Sequence, residues 1–355
     1  MKILTIANEK GGVGKTLIAT QFALYCALKF KLKVCFLDLD QQGNASNFFR
    51  QKDIFKESKT KAADLMLGTK LDFNDCEDSD CILLAADDRL SLLEQQGLSA
   101  HNKFADNVLS ALNAVDKNFD LVVIDTNPNP DIRSTVSLLA CTHLVSPIQL
   151  NKEPIDGIAR MFERIEKISS INSNLPNGFI GMLPNSIEVG KFQQNNGKEL
   201  IDAFGKLLIK VTSYTPKAKL NAQGQVELIR DINNDVVIDE STSYAAIKRH
   251  AGIAEAQALG CPIWDMQGQA LAWSEMKKAF FSIYSKLKIQ RKIDLQEQHF
   301  DVLEECKSLY GVQGCKKLLK QFFMMDNTKV LFGLSLTKIQ LLRELKSRIS
   351  LNILE

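Results

Sequence analysis

The sequence predicts a doubly wound α/β fold: a mostly parallel sheet covered by helices, followed by a C-terminal α-helical appendage. Three observations point there. Short unbroken apolar runs recur along the chain, each followed by a segment of helical periodicity. A glycine-rich turn joins the first such run to the first helix. Beyond residue 290 the strand-like runs stop. At roughly 150 residues per domain, 355 residues allow about two domains. The expected division is 1–288 and 289–355.

The elements follow in order. Residues 2–7 read as a buried strand, and glycines stand at 11, 12 and 14. Residues 16–30 carry Leu17, Ile18, Phe22, Leu24, Tyr25 and Leu28, the spacing of a buried helix. Further strands are expected at 34–38, 82–86, 121–125, 143–147 and 179–183. Helical patterns lie at about 102–116, 153–169, 192–208, 243–258 and 268–288. The strands are apolar without alternation, as parallel strands covered on both faces require. The tail shows helical patterns near 294–309, 312–324 and 336–350.

Composition narrows the class. Lys+Arg 44 against Asp+Glu 42 gives +2, so the chain is no polycation and any nucleic-acid contact must be a local patch. The balance is uneven: residues 290–355 carry +3, which leaves −1 for the rest. With 45% hydrophobic and 24% charged residues, disordered and fibrous classes are excluded. The eight cysteines are scattered and the four histidines unclustered, which favours buried thiols over a disulfide scaffold or a zinc site. The first apolar run is too short for a signal peptide, and no stretch reaches the length of a transmembrane helix. A soluble cytoplasmic protein is the expectation.

Lys10-Gly11-Gly12-Val13-Gly14-Lys15-Thr16 sits between a strand and a helix. Glycines let backbone N–H groups converge on phosphate oxygens, and the helix aims its positive dipole end at the same place. Lys15 can reach the β- and γ-phosphates and Thr16 can ligate Mg²⁺, which makes the fold one of the P-loop NTPase type. The general pattern wants glycine where this chain has Glu9, and an extra lysine, Lys10, opens the loop. That variant is the deviant Walker A motif, and the sequence resembles the ParA/MinD group of P-loop ATPases. The resemblance implies that Lys10, Gly11, Gly12, Val13, Gly14, Lys15, Thr16 and Leu17 bind ATP with Mg²⁺. It also implies that Lys10 reaches the partner's nucleotide across an ATP-dependent homodimer, alongside Lys15 in catalysis.

Asp38-Leu39-Asp40-Gln41-Gln42-Gly43-Asn44 resembles the group's Asp-x-Asp-Pro-Gln-Gly-Asn segment, with Gln41 in place of Pro. By that resemblance Asp40 positions the hydrolytic water and Asp38 lies near the metal. The apolar run 121–124 ends in Asp125, placed to hold the hydration shell of Mg²⁺. The group continues Thr-Pro-Pro, where this chain reads Thr126-Asn127-Pro128. Asn185, after a late strand, resembles the adenine-reading position; an ordinary turn asparagine is the alternative.

Residues 62–68, 83–86 and 252–262 resemble the ParA-type partition branch, so the likeness extends over 1–288. It implies nonspecific DNA binding by the ATP dimer and stimulation by a ParB-like adaptor, in a nucleoid-associated protein. DNA-contact candidates are Lys248, Arg249 and His250, with Lys217 and Lys219 behind them. Because the loop begins at residue 10, sequence-specific operator binding is expected only if the appendage supplies it. One alternative is a MinD-like membrane-associated ATPase. Ile339, Leu342, Leu345, Ile349 and Ile353 fall on one helical face, interleaved with Lys338, Arg343, Lys346 and Arg348. Another is a reductase like the nitrogenase iron protein, for which Cys141 is the nearest cluster-ligand candidate.

Overall fold

A computed structural model describes residues 1–69, 76, 78–96, 98–150, 162–168, 178–188, 190–289, 297–326, 331 and 334–346. Seven strands form one sheet: β1 (Lys2–Ile6), β2 (Val34–Asp38), β3 (Lys56–Glu57), β4 (Cys81–Leu84), β5 (Leu121–Asp125), β6 (His143–Ile148) and β7 (Phe179–Pro184). Their order is β3-β4-β2-β5-β1-β6-β7, and every neighbouring pair is parallel. β2 and β5 are buried at every position, because helices cover both faces. The sheet is therefore parallel throughout. The short edge strand Lys56–Glu57 has no sequence signal, since two polar residues form it.

Strand order places the ligand crevice. The chain leaves β1 for β2 on one side and returns through β5 before passing to β6 and β7 on the other. Loops at such a reversal part at the carboxyl ends of the strands. Register then sets the level: Ile6 of β1 and Asp38 of β2 both pair with Asp125 of β5.

Helix Lys15–Phe30 follows β1. Ile18, Phe22, Tyr25 and Cys26 are fully buried, at the spacings the sequence predicts. Tyr25 meets Trp273 edge-on at 5.7 Å between ring centroids. Helices Leu98–Ala114, Lys191–Phe204 and Ala270–Leu287 appear where periodicity places them. Of the expected helix at 153–169, residues 162–168 are helical and the others lie outside the described residues. The helix expected over 243–258 covers only Ala251–Ala258. Residues before it form β11 (Ile238–Tyr244), antiparallel to β8 (Lys210–Pro216) over seven paired positions. That strand is polar and mostly exposed, so backbone pairing and not an apolar pattern defines it.

The chain packs as two compact units. The first holds 1–28, 32–209 and 245–276; the second holds 29–31, 210–244 and 277–355. The division is discontinuous and does not fall at a single cut near 288. In the second unit, β8 and β11 accompany a smaller ribbon, β9 (Ala218–Leu220) with β10 (Val226–Leu228), and three helices. These are Glu297–Tyr310, Val312–Met325 and Leu336–Lys346. Leu318, Leu319, Phe322 and Phe323 of the middle helix and Tyr310 are buried. Val236 N donates to Tyr310 O at 2.9 Å, tying the segment between β10 and β11 to this helical core.

In the last helix Ile339, Leu342 and Leu345 are buried, so this part of the amphipathic face packs against protein. Arg343 bonds Asp326 at 3.0 Å and Lys338 pairs with Glu305. Ile349, Ile353 and Arg348 lie outside the described residues. Among the described residues no helix is long and apolar enough to cross a membrane.

Leu4 sits fully buried in β1, between β5 and β6. Leu4→Ala should destabilise the first unit by about 2–5 kcal/mol, through reduced burial and a residual cavity. A fall in the denaturant midpoint of the full chain, followed by Trp273 fluorescence, measures it.

Candidate nucleotide site

The site begins where β1, β2 and β5 end together. After Ile6 the chain turns through Asn8, whose side-chain amide donates to Ser146 Oγ at 3.1 Å and Pro147 O at 2.9 Å. Asn8 Oδ1 accepts from Lys10 N at 2.8 Å, which fixes the start of the loop. Gly12 and Gly14 have φ of 74° and 92°, a left-handed backbone that favours glycine. A Cβ on Gly11 or Gly12 would meet nothing within 4 Å, whereas one on Gly14 would lie 2.2 Å from Asn185 Nδ2. The loop is thus open on its outer side and closed against Asn185 beneath.

Lys15 is buried and folds back, donating from Nζ to Lys10 O at 3.1 Å. Burial pushes its pKa down, against the opposing pull of Asp125 and Asp40. The ammonium therefore stands at the loop's mouth, facing carboxylates.

Those carboxylates differ in how they are held. Asp38 is fully buried and accepts three hydrogen bonds: Ser46 N at 2.8 Å, Ser46 Oγ at 2.6 Å and Asp40 N at 3.1 Å. Burial still raises its pKa to about 6, with those bonds opposing and Asp40 adding repulsion. Asp40 accepts from Gln42 N at 3.0 Å. Asp125 is fully buried, and beyond the nearby Thr16 hydroxyl its oxygens have no hydrogen-bond partner among the described residues. Burial first, then the charge of Asp38, drives its pKa well up, while Thr16 and Lys15 pull it down.

A buried carboxylate beside a second one is costly unless a cation joins them. The hydroxyl of Thr16 and the carboxylates of Asp38 and Asp125 are oxygen donors of the kind that magnesium takes. Among the described residues no three His, Cys, Asp or Glu side chains form a complete metal cage. Magnesium at such sites keeps water and takes phosphate oxygens, so a full protein cage is not required.

Asn185 lies against the phosphate loop. Its amide donates to Val13 O at 2.9 Å and its oxygen is buried without a partner, so it braces the phosphate loop from below. It also lines a cavity of about 440 Å³ with Leu17, Ser186 and Ile253. A second cavity of about 550 Å³ opens on the other side of Leu17, lined by Thr16, Asn44, Phe48 and Gln257.

The DNA-contact candidates do not form a bare cationic face. Lys248, Arg249 and His250 line the smaller cavity. Glu275 binds both Lys248 (3.4 Å) and His250 (3.1 Å), and Arg249 pairs with Glu188. In the second unit Lys217 pairs with Asp239 at 3.0 Å and Lys219 with Glu227 at 3.5 Å. Cys141 is buried, and burial pushes its thiol up to about 12. A cluster shared between subunits needs an accessible thiolate, the opposite condition. All eight cysteines are free thiols.

Several contributors escape sequence reading. Ser46 supplies two of the bonds to Asp38, from the first turn of helix Asn44–Arg50 behind the left-handed Gly43 (φ 62°). Gln149 donates to Gly12 O at 2.7 Å. Arg164 bonds Glu9 at 3.1 Å, Thr135 Oγ1 at 2.7 Å and Asp131 O at 3.3 Å. It thereby ties the residue before Lys10 to the segment after β5. Asn127, the departure from proline, donates to Asp131 at 2.6 Å, and Asp131 caps the helix Ile132–Ala140 through Ser134 N. The pairings of Gln149 and Arg164 span long sequence separations, whereas those of Ser46, Asn127 and Asp131 are local but follow from turn and cap geometry.

Residues 1–176 match the model of a family described as an AAA domain. Protein IncC from Escherichia coli is 31% identical over 214 residues, 59% of this chain and 57% of IncC. A second IncC from E. coli is 27% identical over 301 residues, 82% of this chain and 71% of that protein. The chain thus spans little more than half the length of the first relative. The chromosome partitioning protein ParA of Caulobacter vibrioides is 25% identical over 185 residues, 49% of this chain and 66% of that protein. Among solved structures, apo McdA of Cyanothece superposes with a TM-score of 0.58 at 18% identity, covering 81% of this chain and 99% of McdA. That likeness is one of fold.

Two outcomes follow from the geometry. Gly14→Ala should reduce nucleotide affinity at least tenfold, because the new methyl strikes Asn185 and the backbone is left-handed; calorimetry with ATP and magnesium measures it. Asp125 is protonated more readily folded than unfolded, so its contribution to stability is present at low pH and fades as pH rises through its raised pKa. Asp38 behaves alike, fading through about pH 6. Asp125→Asn should therefore raise the Tm of the nucleotide-free protein at pH 7.5, while removing the extra stabilisation that magnesium gives to the ATP-bound form.

Proposed function

We propose that the chain is a partition ATPase of the ParA/MinD group of P-loop ATPases, a reading supported by its likeness to IncC, Soj and ParA. It binds MgATP, dimerises in that state and holds nonspecific DNA until a ParB-like adaptor stimulates hydrolysis. Its cargo is a plasmid, a chromosome or another mobile element, and it works on the nucleoid in the cytoplasm. The observation that carries the reading is the meeting, at one sheet level, of an open glycine loop, Lys15, and the buried Asp125 beside Asp38. It is an arrangement short of one anion and one cation, which MgATP supplies together.

The roles follow from position. Backbone N–H groups of residues 11–16 receive phosphate oxygens, and Lys15 exchanges the Lys10 carbonyl for them. Thr16, Asp38 and Asp125 would hold the magnesium shell, and the metal bound there would supply neutralisation of phosphate charge. Asp40 orients the attacking water, held ready by its bond from Gln42 N. Lys10 adds cationic charge to the partner's nucleotide, so ATP favours the dimer by the difference in affinity it has for the two states. Asn8 and Arg164 keep the loop's entry in place for that reach.

The membrane-positioning alternative draws less support. Its helix buries Ile339, Leu342 and Leu345 against protein.

Lys15→Ala should abolish ATP binding. Lys10→Ala should keep ATP binding but lose the ATP-dependent dimer in analytical ultracentrifugation; a mutant that still dimerises refutes the trans role. Asp40→Ala should trap the ATP-bound form on DNA, with hydrolysis lost and retention prolonged. Retention on nonspecific duplex should fall with salt at a log–log slope of about −0.9 per phosphate neutralised. ATP-dependent pelleting with anionic liposomes, absent on DNA, would overturn the partition reading.

A further inference from the structure

The second unit contains a cavity of about 210 Å³ that belongs to none of the nucleotide machinery. Three elements build it, each contributing residues at its own repeat. Strand β8 places Lys210 and Thr212 two apart, on one face. Helix Ala270–Leu287 contributes Phe281 with Ser285, and Ser282 with Lys286, each pair four apart. Helix Val312–Met325 contributes Lys320 and Met324, again four apart. Phe281 and Met324 are buried and form the apolar floor. Three ammonium groups and three hydroxyls surround it, and among the described residues no carboxylate lines it.

Like charges gathered round a cavity repel, and an anion is the natural relief. At Lys286 burial first, and then the charge of Lys210, push the pKa down. Ser285 donates its hydroxyl to Phe281 O at 2.8 Å. Thr212 and Ser282 then stand as the neutral donors beside the ammonium groups.

We infer that this cavity is an oxyanion site that takes a phosphate group, from the nucleic-acid backbone or as free phosphate. A compact tetrahedral anion uses point-charge ammonium groups and hydroxyl donors, with no need for the planar fork of an arginine. The DNA source rests on the partition reading given above; the phosphate chemistry does not. Of the two sources, the backbone also explains how a chain of net charge +2 could hold DNA when Lys217, Lys219 and Lys248 all face carboxylates.

The test uses the full chain saturated with AMPPNP and magnesium, so that the phosphate loop is filled. Inorganic phosphate is titrated by calorimetry, and a nonspecific 24-bp duplex by anisotropy across a salt series. The double variant Lys210→Gln/Lys320→Gln should weaken phosphate binding about tenfold or more, as expected for losing charge-assisted hydrogen bonds. If the backbone is the source, the salt slope for the duplex should also become shallower by about 1 for each backbone phosphate that the variant no longer neutralises. Weaker phosphate binding with unchanged DNA binding supports the site and assigns free phosphate. Phosphate binding that is undetectable, or equal in wild type and variant, overturns it. Wild type that binds phosphate here yet never binds DNA refutes the partition reading and leaves the site standing. Folding is checked independently: the variant relieves lysine repulsion, so its Tm without phosphate should not fall, while the Tm rise caused by phosphate should shrink. Thr212→Val, which keeps every charge, should weaken phosphate binding by a smaller factor; no change there, together with none in the double variant, refutes the site.

Discussion

The structure depends on one electrostatic constraint: carboxylates crowded at the carboxyl ends of parallel strands, with one buried lysine facing them. Asp38 and Asp125 are paired in register and fully buried. Asp38 is sustained by the first turn of helix Asn44–Arg50, through the backbone and hydroxyl of Ser46. Asp125 lacks such support beyond the nearby Thr16 hydroxyl. The nucleotide-free protein carries that tension as raised carboxylate pKa values. A site that is destabilised when empty gains most when filled, so binding and stability are linked here by the same charges.

The surrounding elements hold that arrangement from several sides. Asn8 anchors the loop to β6, and Asn185 at the end of β7 props the loop from beneath. Arg164 connects Glu9 to the segment following β5. Asn127 and Asp131, just after Asp125, are thereby joined to the residue before Lys10 through Arg164. This gives the Asn127 departure a physical role: it ties the segment after Asp125 to the Asp131 cap, where the family pattern has proline. Proline would restrict the backbone there, whereas asparagine restrains it by a side-chain hydrogen bond.

The basic residues illustrate the other half of the electrostatics. Lys248 and Arg249 look like a cationic patch in sequence, but their carboxylate partners come from Glu275 and Glu188. Exposed ion pairs of this kind contribute little stability, yet they lower the local potential that a polyanion would meet. Positive charge gathers instead where Lys210, Lys286 and Lys320 surround a cavity. The second unit is thus more than a packing appendage: its ribbon and helices build a face of their own.

By itself, the sequence determined the parallel α/β architecture, the glycine loop and the position of Asp38 and Asp125 at strand ends, because those features are local. Unbroken apolar runs make covered strands, glycines make the loop, and a carboxylate at a strand's end must emerge at the sheet's edge. Tertiary structure alone decided the rest. The bond from Asn185 to Val13 joins residues 172 apart in sequence, so only the fold could bring them together. The strand Ile238–Tyr244 replaced the start of a helix because its stability comes from backbone pairing with β8, which leaves no apolar pattern to read. The ion pairing of Lys248 and Arg249, and the gathering of three lysines from a strand and two helices, likewise depend on contacts between distant segments. Local chemistry is written in neighbouring residues, whereas the partner of a charge is chosen by the fold.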